Sequence, residues 1–238
     1  MASAASPVPS VSSIPSVHQT EGRKLARWAF FSLLAAVIPM ALAGEPGSPY
    51  LWALAAACSA VALFAVHTIS PELARERYHP PNPGLDGATL PWVRLLAFAT
   101  IAFALLDSGR WHFSAPMPAA WRVGGLITFF TGLAMFVYAM SVNRFFSSVV
   151  RIQDERGHHV VDSGPYAHVR HPGYVGMLLL VATLPLALGS WWAFVPGSVI
   201  VAFGFRRLVV EDRFLAAHLP GYREYAARVR YRLLPGIW

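Results

Sequence analysis

The sequence has only one cysteine, Cys58, and few charged residues. A single cysteine excludes an internal disulfide, a cysteine-rich metal cluster and a dithiol redox pair. Only 13% of the residues are charged while 55% are hydrophobic, which is too apolar for an ordinary soluble domain. The sequence also lacks an internal repeat of the kind found in solenoids and inverted-repeat transporters. Its mean hydropathy of +0.47 over 238 residues predicts an all-α, polytopic membrane protein.

Long apolar runs separated by polar turns predict about six transmembrane helices, because a bilayer requires about 20 apolar residues per span. The last two runs are shorter and are joined at Gly189-Ser190, so we expect them to form a tight helical hairpin. The stretch after them, from Arg206 to Trp238, has the pattern of an amphipathic helical segment interrupted at Pro220-Gly221. The six runs are residues 28–43, 50–69, 91–106, 121–142, 173–188 and 191–205.

The positive charges test this count independently. If the six spans alternate, 17 of the 19 lysines and arginines lie on one side, and only Arg110 and Arg122 lie on the other. The positive-inside rule makes the first side cytoplasmic, with both termini there. The net charge of +7 therefore indicates membrane topology and contact with membrane lipids, and it gives no reason to expect nucleic acid. We expect a multi-pass protein of a bacterial inner membrane.

Three regions follow from these patterns. Residues 1–22, rich in Ser, Ala, Pro and Val, are predicted to be a disordered tail. Residues 23–142 form a four-span membrane region, and residues 143–238 form a cofactor-binding region with the hairpin and the C-terminal helices.

The first run also has the outline of a signal peptide with Ala41-Leu42-Ala43 as its cleavage site. We favour an uncleaved span because its positive residues lie far from Met1 and further spans follow closely.

Polar, basic and aromatic residues concentrate in residues 156–176, between two apolar runs. Polar groups gathered at the edge of a bilayer usually mark a functional site, because their desolvation is costly. Pro172 suits the first turn of a helix, which places His171 near its N-cap and lets the helix N-terminus face an anion. His158-His159 has no third ligand at helical spacing, so we interpret these histidines as loop residues and expect no metal site.

The hairpin predicts which distant segments meet. About 16 residues rise from Gly173 and about 15 return, at ~1.5 Å per residue, so Glu211 and Asp212 should come back beside Arg170 and His171. A pocket with both signs of charge suits S-adenosylmethionine. Its carboxylate would face the cations or the helix N-terminus, its ammonium Glu211, and its sulfonium an aromatic ring such as Tyr174. The same residues are also compatible with a nicotinamide cofactor.

The segment 164–176, Gly-Pro-Tyr-Ala-His-Val-Arg-His-Pro-Gly-Tyr-Val-Gly, resembles the signature of the isoprenylcysteine carboxyl methyltransferase family and its phospholipid methyltransferase relatives. The resemblance extends over about residues 140–238 and implies a membrane methyltransferase that uses S-adenosylmethionine. It departs at Ala167, where the family usually has a basic residue, and at Asp212, where a second Glu is common. Position by position it implies cofactor binding by Tyr166, Arg170, His171, Pro172, Tyr174, Glu211 and Asp212, and catalytic contacts to the acceptor by Asn143 and Arg232.

The resemblance leaves the acceptor open. Arg232 near the acceptor would favour a carboxylate, such as that of a prenylated cysteine, but a lipid amine, a small thiol and a fatty acid fit as well. A carboxylate acceptor needs no general base, whereas a thiol or an amine does. Two other functions remain as alternatives: an NADPH-dependent sterol or enone reductase, and a non-catalytic membrane scaffold of the same fold.

Overall fold

The computed structural model describes residues 17–238, and within this range it contains α-helices and no β-strand. The helices over the six predicted runs follow the predicted order, and a further short helix over residues 71–78 lies between the second and third runs. The all-α, polytopic prediction is confirmed. A π-helical turn, Asp107–Trp111, continues α4, and short 3-10 turns lie between α5 and α6. The helices are α1 (Val17–Ala43), α2 (Pro49–Thr68), α3 (Pro71–Tyr78), α4 (Leu90–Leu106), α5 (Ala119–Val142), α6 (Pro172–Leu188), α7 (Phe194–His218) and α8 (Tyr222–Arg228).

Four helices within the described range are long and apolar enough to cross a membrane: α1, α2, α4 with its π-helical turn, and α5. The fifth and sixth predicted runs coincide with α6, a 17-residue apolar helix, and with the first half of α7. Large apolar side chains on the outer helix faces are exposed, as a lipid-facing surface requires. They include Phe30, Phe31, Trp52, Trp92, Phe98 and Ile127.

Residues 1–16 of the predicted tail lie outside the described part of the chain. Helix α1 begins at Val17, so the last six residues of the range predicted as a tail are helical. Extending an existing helix by a turn fixes one residue per hydrogen bond gained, whereas starting a new helix is costly. The helix formed by the apolar span that follows can therefore extend N-terminally into this polar sequence.

Helices α5 and α6 approach closely at glycines. A Cβ atom on Gly132 would lie 2.8 Å from the carbonyl oxygen of Gly176, and one on Gly176 would lie 2.5 Å from the backbone nitrogen of Phe136. Small residues allow the helix backbones to meet, and dispersion contacts then hold them together inside a bilayer. This contact brings the C-terminal end of α5, with Asn143, beside the N-terminal end of α6.

A buried carboxylate, that of Asp107, joins the helices at the end of the bundle opposite Asn143. Asp107 is fully buried and accepts hydrogen bonds from the backbone N–H and hydroxyl of Ser114 and from the hydroxyl of Ser190, at 2.8, 2.5 and 2.5 Å. These bonds join the end of α4 to the turn between α6 and α7. Asp107 thus has the structural role expected of a fully hydrogen-bonded buried group.

Helix α7 forms the returning half of the hairpin and is longer than α6. Its C-terminal part extends past the start of α6 into the polar end of the bundle. Nε of Arg170 lies 2.9 Å from Oδ1 of Asp212, so the predicted return of the hairpin is confirmed. The chain breaks where Pro220-Gly221 predicted it, since Gly221 adopts φ +79° before α8. The segment beyond α8 folds back onto the start of α6, where the N–H groups of Arg170 and His171 donate to the carbonyls of Tyr231 and Arg232.

Candidate functional site

A cavity lies at the polar end of the bundle, among α5, α6, α7, α8 and the loop that links α5 to α6. Its wall is part apolar and part charged, and a short helix from the N-terminal half, α3, also reaches it. The lining residues used below are Arg77, Phe136, Asn143, Phe145, Phe146, Arg151, His158, Tyr166, Arg170, His171, Gly173, Tyr174, Met177, Arg207, Glu211, Tyr222 and Tyr225.

Asp212 organises the cationic side of the cavity from behind. Its carboxylate accepts hydrogen bonds from Nε of Arg170 at 2.9 Å, Nε2 of His171 at 3.0 Å, Nε of Arg232 at 2.8 Å and the hydroxyl of Tyr222 at 2.9 Å. Asp212 itself is buried and does not line the cavity. One carboxylate therefore fixes four side chains from three separate segments.

The electrostatics of Asp212 follow from these contacts. Burial by itself would raise the pKa of its carboxyl group, because a low dielectric disfavours charge. Hydrogen bonds from His171, Arg170 and Arg232 outweigh burial and hold the pKa of Asp212 well below its usual range. Asp212 is thus a permanent anion at neutral pH, and the cations around it are held in place.

Glu211, the neighbour of Asp212 in sequence, faces the cavity instead. The hydroxyl of Tyr174 donates to Oε2 of Glu211 at 2.7 Å, and Nη1 of Arg207 donates to the same tyrosine oxygen at 2.8 Å. Arg207 also donates to Asp86 and to the carbonyl of Ser148. This chain of contacts positions a carboxylate and a tyrosine ring side by side in the cavity wall.

The third part of the wall is the start of the α5–α6 loop. Oδ1 of Asn143 accepts from the N–H of Phe145 at 2.9 Å, which forms a tight turn at the end of α5. Its amide nitrogen lies 3.4 Å from the hydroxyl of Tyr166. The hydroxyl of Tyr225 donates to the backbone carbonyl of Tyr166 at 2.7 Å, which anchors this side of the cavity to α8.

The same loop is held to α3 by a buried ion pair. Nη2 of Arg151 lies 2.6 Å from Oε2 of Glu76, and both side chains are about 5% exposed. Further along, the ring of His158 packs on Phe145 with centroids 4.5 Å apart. Burial, with a smaller contribution from His159, lowers the pKa of His158 to about 4. His158 is consequently neutral at pH 7 and adds apolar rather than cationic surface to the cavity.

The structure brings six of the nine predicted site residues to the cavity and leaves three outside it. Pro172 is fully buried at the first position of α6, where it shapes the helix start, and Asp212 supports the wall from behind. Arg232 differs from its predicted position facing the acceptor, because Asp212 captures it and the ring of Trp238 lies 5.1 Å from its Cζ. The six that line the cavity are Asn143, Tyr166, Arg170, His171, Tyr174 and Glu211.

Several lining residues were not predicted as site residues. Arg77 and Arg207 reach the cavity through long-range packing, and Phe136, Phe145 and Phe146 supply its aromatic surface. A guanidinium at the end of a surface helix, such as Arg77, carries no sequence signal that separates it from a topology-setting charge. Tyr222 and Tyr225 did have a sequence signal, since they follow the break at Gly221, after which the chain folds back towards the start of α6.

This arrangement can hold a ligand that carries both signs of charge and an apolar or aromatic part. Glu211 offers an anion, Arg77 and the first turn of α6 offer positive potential, and the tyrosine and phenylalanine rings offer flat surfaces. The residues present therefore fit an amino-acid-bearing nucleoside such as S-adenosylmethionine.

Comparisons with known proteins point to one family. Residues 124–217 match the model of the isoprenylcysteine carboxyl methyltransferase family. The chain is 29% identical over 86 residues to the protein-S-isoprenylcysteine O-methyltransferase of Schizosaccharomyces pombe, which covers 35% of this chain and 36% of that protein. It is also 29% identical over 140 residues to the cobalt-zinc-cadmium resistance protein CzcN of Cupriavidus metallidurans, covering 57% of this chain and 58% of that protein.

The fold has a counterpart among solved structures. The eukaryotic intramembrane Ras methyltransferase, isoprenylcysteine carboxyl methyltransferase, superimposes with a TM-score of 0.59 at 20% identity, over 90% of this chain and 77% of that one. The predicted resemblance to the family is confirmed, and the matched region contains eight of the nine predicted cofactor and acceptor residues, all except Arg232. The matches span 58% and 36% of the two curated relatives.

Proposed function

We propose that this chain, whose residues 124–217 match the isoprenylcysteine carboxyl methyltransferase family, is an integral membrane methyltransferase that uses S-adenosylmethionine. The observation that carries the proposal is the cavity shared by His171, Tyr174 and Glu211, in which the tyrosine hydroxyl lies 2.7 Å from the carboxylate. A carboxylate and an aromatic ring at the start of a helix are the groups that a sulfonium amino acid requires.

Each lining group has a role in this proposal. Glu211 accepts from the ammonium or the ribose hydroxyls, and the first turn of α6 faces the cofactor's carboxylate. The face of Tyr174 lies against the positive sulfonium. Arg170 and His171 have little capacity left for a ligand carboxylate because Asp212 and backbone carbonyls already occupy them. We assign them to holding the start of α6 in place, with the ring of His171 forming part of the wall.

The chain's contribution to the reaction is positioning and the exclusion of water. S-adenosylmethionine supplies an activated methyl group, and the acceptor displaces it in line, so the protein gains most by aligning the two reactants. Phe136 and Phe146 form an apolar wall that keeps water from the reacting atoms. Asn143, at the edge of this wall, remains a candidate contact to the acceptor.

We also propose an orientation of the protein in the membrane. If the six spans alternate, the polar end of the bundle carries 17 of the 19 lysines and arginines, and on the positive-inside rule we propose that the cavity and both termini are cytoplasmic. The exposed apolar helix faces would contact lipid, from which a lipophilic acceptor could approach. A bacterial inner membrane is the setting that we propose for this topology.

Calorimetry of the purified protein in detergent tests the cofactor. S-adenosylhomocysteine, the product of methyl transfer, should bind with micromolar affinity, whereas NADPH should not bind. Binding of NADPH alone would instead support the reductase alternative, which no contact in the cavity specifically favours. Failure of both ligands to bind would favour the non-catalytic scaffold.

A further inference from the structure

Asp86 lies in the loop between α3 and α4, outside the segment that matches the family, and it contacts two elements of the cavity wall. Its Oδ1 accepts from the backbone N–H of Val150 at 2.9 Å, and its Oδ2 accepts from Nε of Arg207. The neighbouring N–H of Leu85 donates to the carbonyl of Val150 at 3.1 Å, so the loop also pairs with the wall through its backbone. The Asp86 carboxylate therefore has one oxygen for each of two fixed partners.

Arg207 uses all three nitrogen atoms of its guanidinium. Besides Nε, which donates to Asp86, Nη1 donates to the hydroxyl of Tyr174 at 2.8 Å and Nη2 to the carbonyl of Ser148 at 2.9 Å. A guanidinium has no acceptor, so the oxygen of Tyr174 can only accept from it. The single proton of that hydroxyl is left for Glu211, whose Oε2 lies 2.7 Å away. The donors are thus ordered from Arg207 through Tyr174 to Glu211.

Arg207 and Glu211 are four residues apart on α7, a spacing that places two side chains on one face of a helix and commonly pairs opposite charges. Within residues 17–238, however, the carboxylate in contact with Arg207 is that of Asp86, and Glu211 is joined to Arg207 only through the Tyr174 hydroxyl. Burial by itself would lower the pKa of Arg207, but the tyrosine and the two carboxylates around it outweigh burial and raise that pKa above its usual range. Arg207 is therefore a cation beside Glu211 that is paired elsewhere.

We propose that Asp86 is a positioning residue of the cofactor site: it holds Arg207 and thereby keeps the carboxylate of Glu211 available to the cofactor. This inference rests on the proposed methyltransferase function, in which Glu211 accepts from the ammonium or the ribose hydroxyls. Without the charge of Asp86, Arg207 is a partly buried cation that has lost its partner, and Glu211 on the same helix is the nearest replacement. The cofactor would then have to break that pair before it could bind.

The charges of these three groups support this role. Arg207 and Glu211 alone would cancel, whereas together with Asp86 they carry one net negative charge. Glu211 is the carboxylate of the two that lines the cavity, and Asp86 lies behind the wall. A hydrogen bond between an ammonium group and a carboxylate is strongest when no other cation competes for that carboxylate. Asp86 thus acts on the ligand through Arg207, without touching the ligand itself.

Calorimetry with S-adenosylhomocysteine in detergent tests this role in two backgrounds. Asp86→Asn keeps an acceptor for the N–H of Val150 but removes the charge that holds Arg207. In the wild-type background it should weaken S-adenosylhomocysteine by about 5-fold to 20-fold, because a competing ion pair in a partly buried wall is stronger than an exposed one. In an Arg207→Gln background the competing cation is gone, so Asp86→Asn should change the affinity by less than about 2-fold.

Two exposed residues provide matched controls. Glu72→Gln removes an acid from α3, and Arg206→Gln removes a cation from α7 beside Arg207, and both should leave the affinity unchanged. Asp86→Glu keeps the negative charge, so its affinity should be closer to that of the wild type than the affinity of Asp86→Asn. If Asp86→Asn does not fold, Asp86→Ser supplies the same test, since its hydroxyl can accept from the N–H of Val150 and carries no charge.

The outcomes separate the inference from the function on which it rests. No binding of S-adenosylhomocysteine to the wild type would contradict the methyltransferase itself. Normal binding to the wild type that Asp86→Asn leaves unchanged would overturn only the role of Asp86. Weakening of equal size in the wild-type and Arg207→Gln backgrounds would also overturn it, because Asp86 would then act through the loop at Val150. Loss of binding in Arg207→Gln alone would do the same, since the ligand would then need Arg207.

Discussion

Nε2 of His171 lies 3.0 Å from Oδ1 of Asp212, although Asp212 takes no part in the wall of the cavity. The carboxylate holds the imidazole from behind, and it does the same for Arg170 and Arg232. The start of α6 therefore owes its position to a residue 40 positions further along the chain. A buried carboxylate with several hydrogen-bond partners is costly to replace, so we expect substitution of Asp212 to be strongly destabilising.

Asp212→Asn should destabilise the protein by about 3–5 kcal/mol, because removing one partner of a buried ion pair leaves the others uncompensated. Thermal unfolding in detergent measures the loss. The matched control is Asp162→Asn, which breaks an exposed pair with Arg228 at 2.8 Å and should cost less than about 1 kcal/mol. Equal effects of the two substitutions would contradict the central role of Asp212.

The same carboxylate predicts a pH dependence. The folded state holds the pKa of Asp212 below its ordinary value, so its stabilising contribution is complete above that ordinary value of about 3.9. The contribution is lost as the pH falls below this value towards the folded-state pKa. The gap in melting temperature between wild type and Asp212→Asn should therefore stay constant from pH 7 to pH 5 and narrow below about pH 4. A gap that widens on acidification would refute this assignment.

Glu211→Gln should weaken S-adenosylhomocysteine by roughly 10-fold or more, since a charge-assisted hydrogen bond contributes about 1.5–3 kcal/mol. The amide can still accept from Tyr174, so we expect little change in melting temperature. Calorimetry of the variant beside Glu224→Gln, an exposed acid on α8, separates local from general charge effects. An unchanged affinity in Glu211→Gln would remove this residue from the cofactor site.

Gly132→Ala should be strongly destabilising, because its Cβ would lie within 3.0 Å of Gly176, Leu179 and Leu180 on α6. Backbone atoms cannot yield as a flexible side chain can, so α5 and α6 would separate. Gly124→Ala, on the same helix and with nothing within 4 Å of its Cβ, should be neutral or slightly stabilising. Thermal unfolding of the two variants compares them, and similar melting temperatures would argue against close packing at Gly132.

Cysteine labelling tests the proposed orientation. In a Cys58→Ser background, Trp192→Cys at the hairpin tip and Arg228→Cys on α8 provide exposed single sites, with 57% of Trp192 and 64% of the Arg228 side chain accessible. A membrane-impermeant maleimide applied to intact cells should label only Trp192→Cys. Labelling of Arg228→Cys before permeabilisation would place the cavity on the other side of the membrane.

Much of the fold could be predicted because a bilayer restricts what a chain can do. Apolar runs must become helices there, since every backbone N–H and C=O needs an internal partner. The boundaries of α2, α4, α5 and α6 accordingly fall within two residues of the predicted runs. The hairpin prediction depended on the same reasoning, and it brought Glu211 and Asp212 to Arg170 and His171 as expected.

Only the tertiary structure shows that the adjacent residues Glu211 and Asp212 have different roles. Adjacent residues on a helix point about 100° apart, so Glu211 and Asp212 face different neighbours. Glu211 faces the cavity, whereas Asp212 faces the C-terminal segment and Arg232. The sequence carries no signal for which of the two faces inward, because both are acidic residues at the same distance from the hairpin.

By itself the sequence determined the number of apolar runs, the side of the membrane that its charges favour, and the segment 164–176 that carries the site, because each depends on composition and local order. Only the tertiary structure decided that Arg77 enters the cavity, that Arg207 pairs with Asp86 and that Asp212 captures Arg232. These contacts join positions that are distant in sequence, and they result from packing in three dimensions, which no local pattern records.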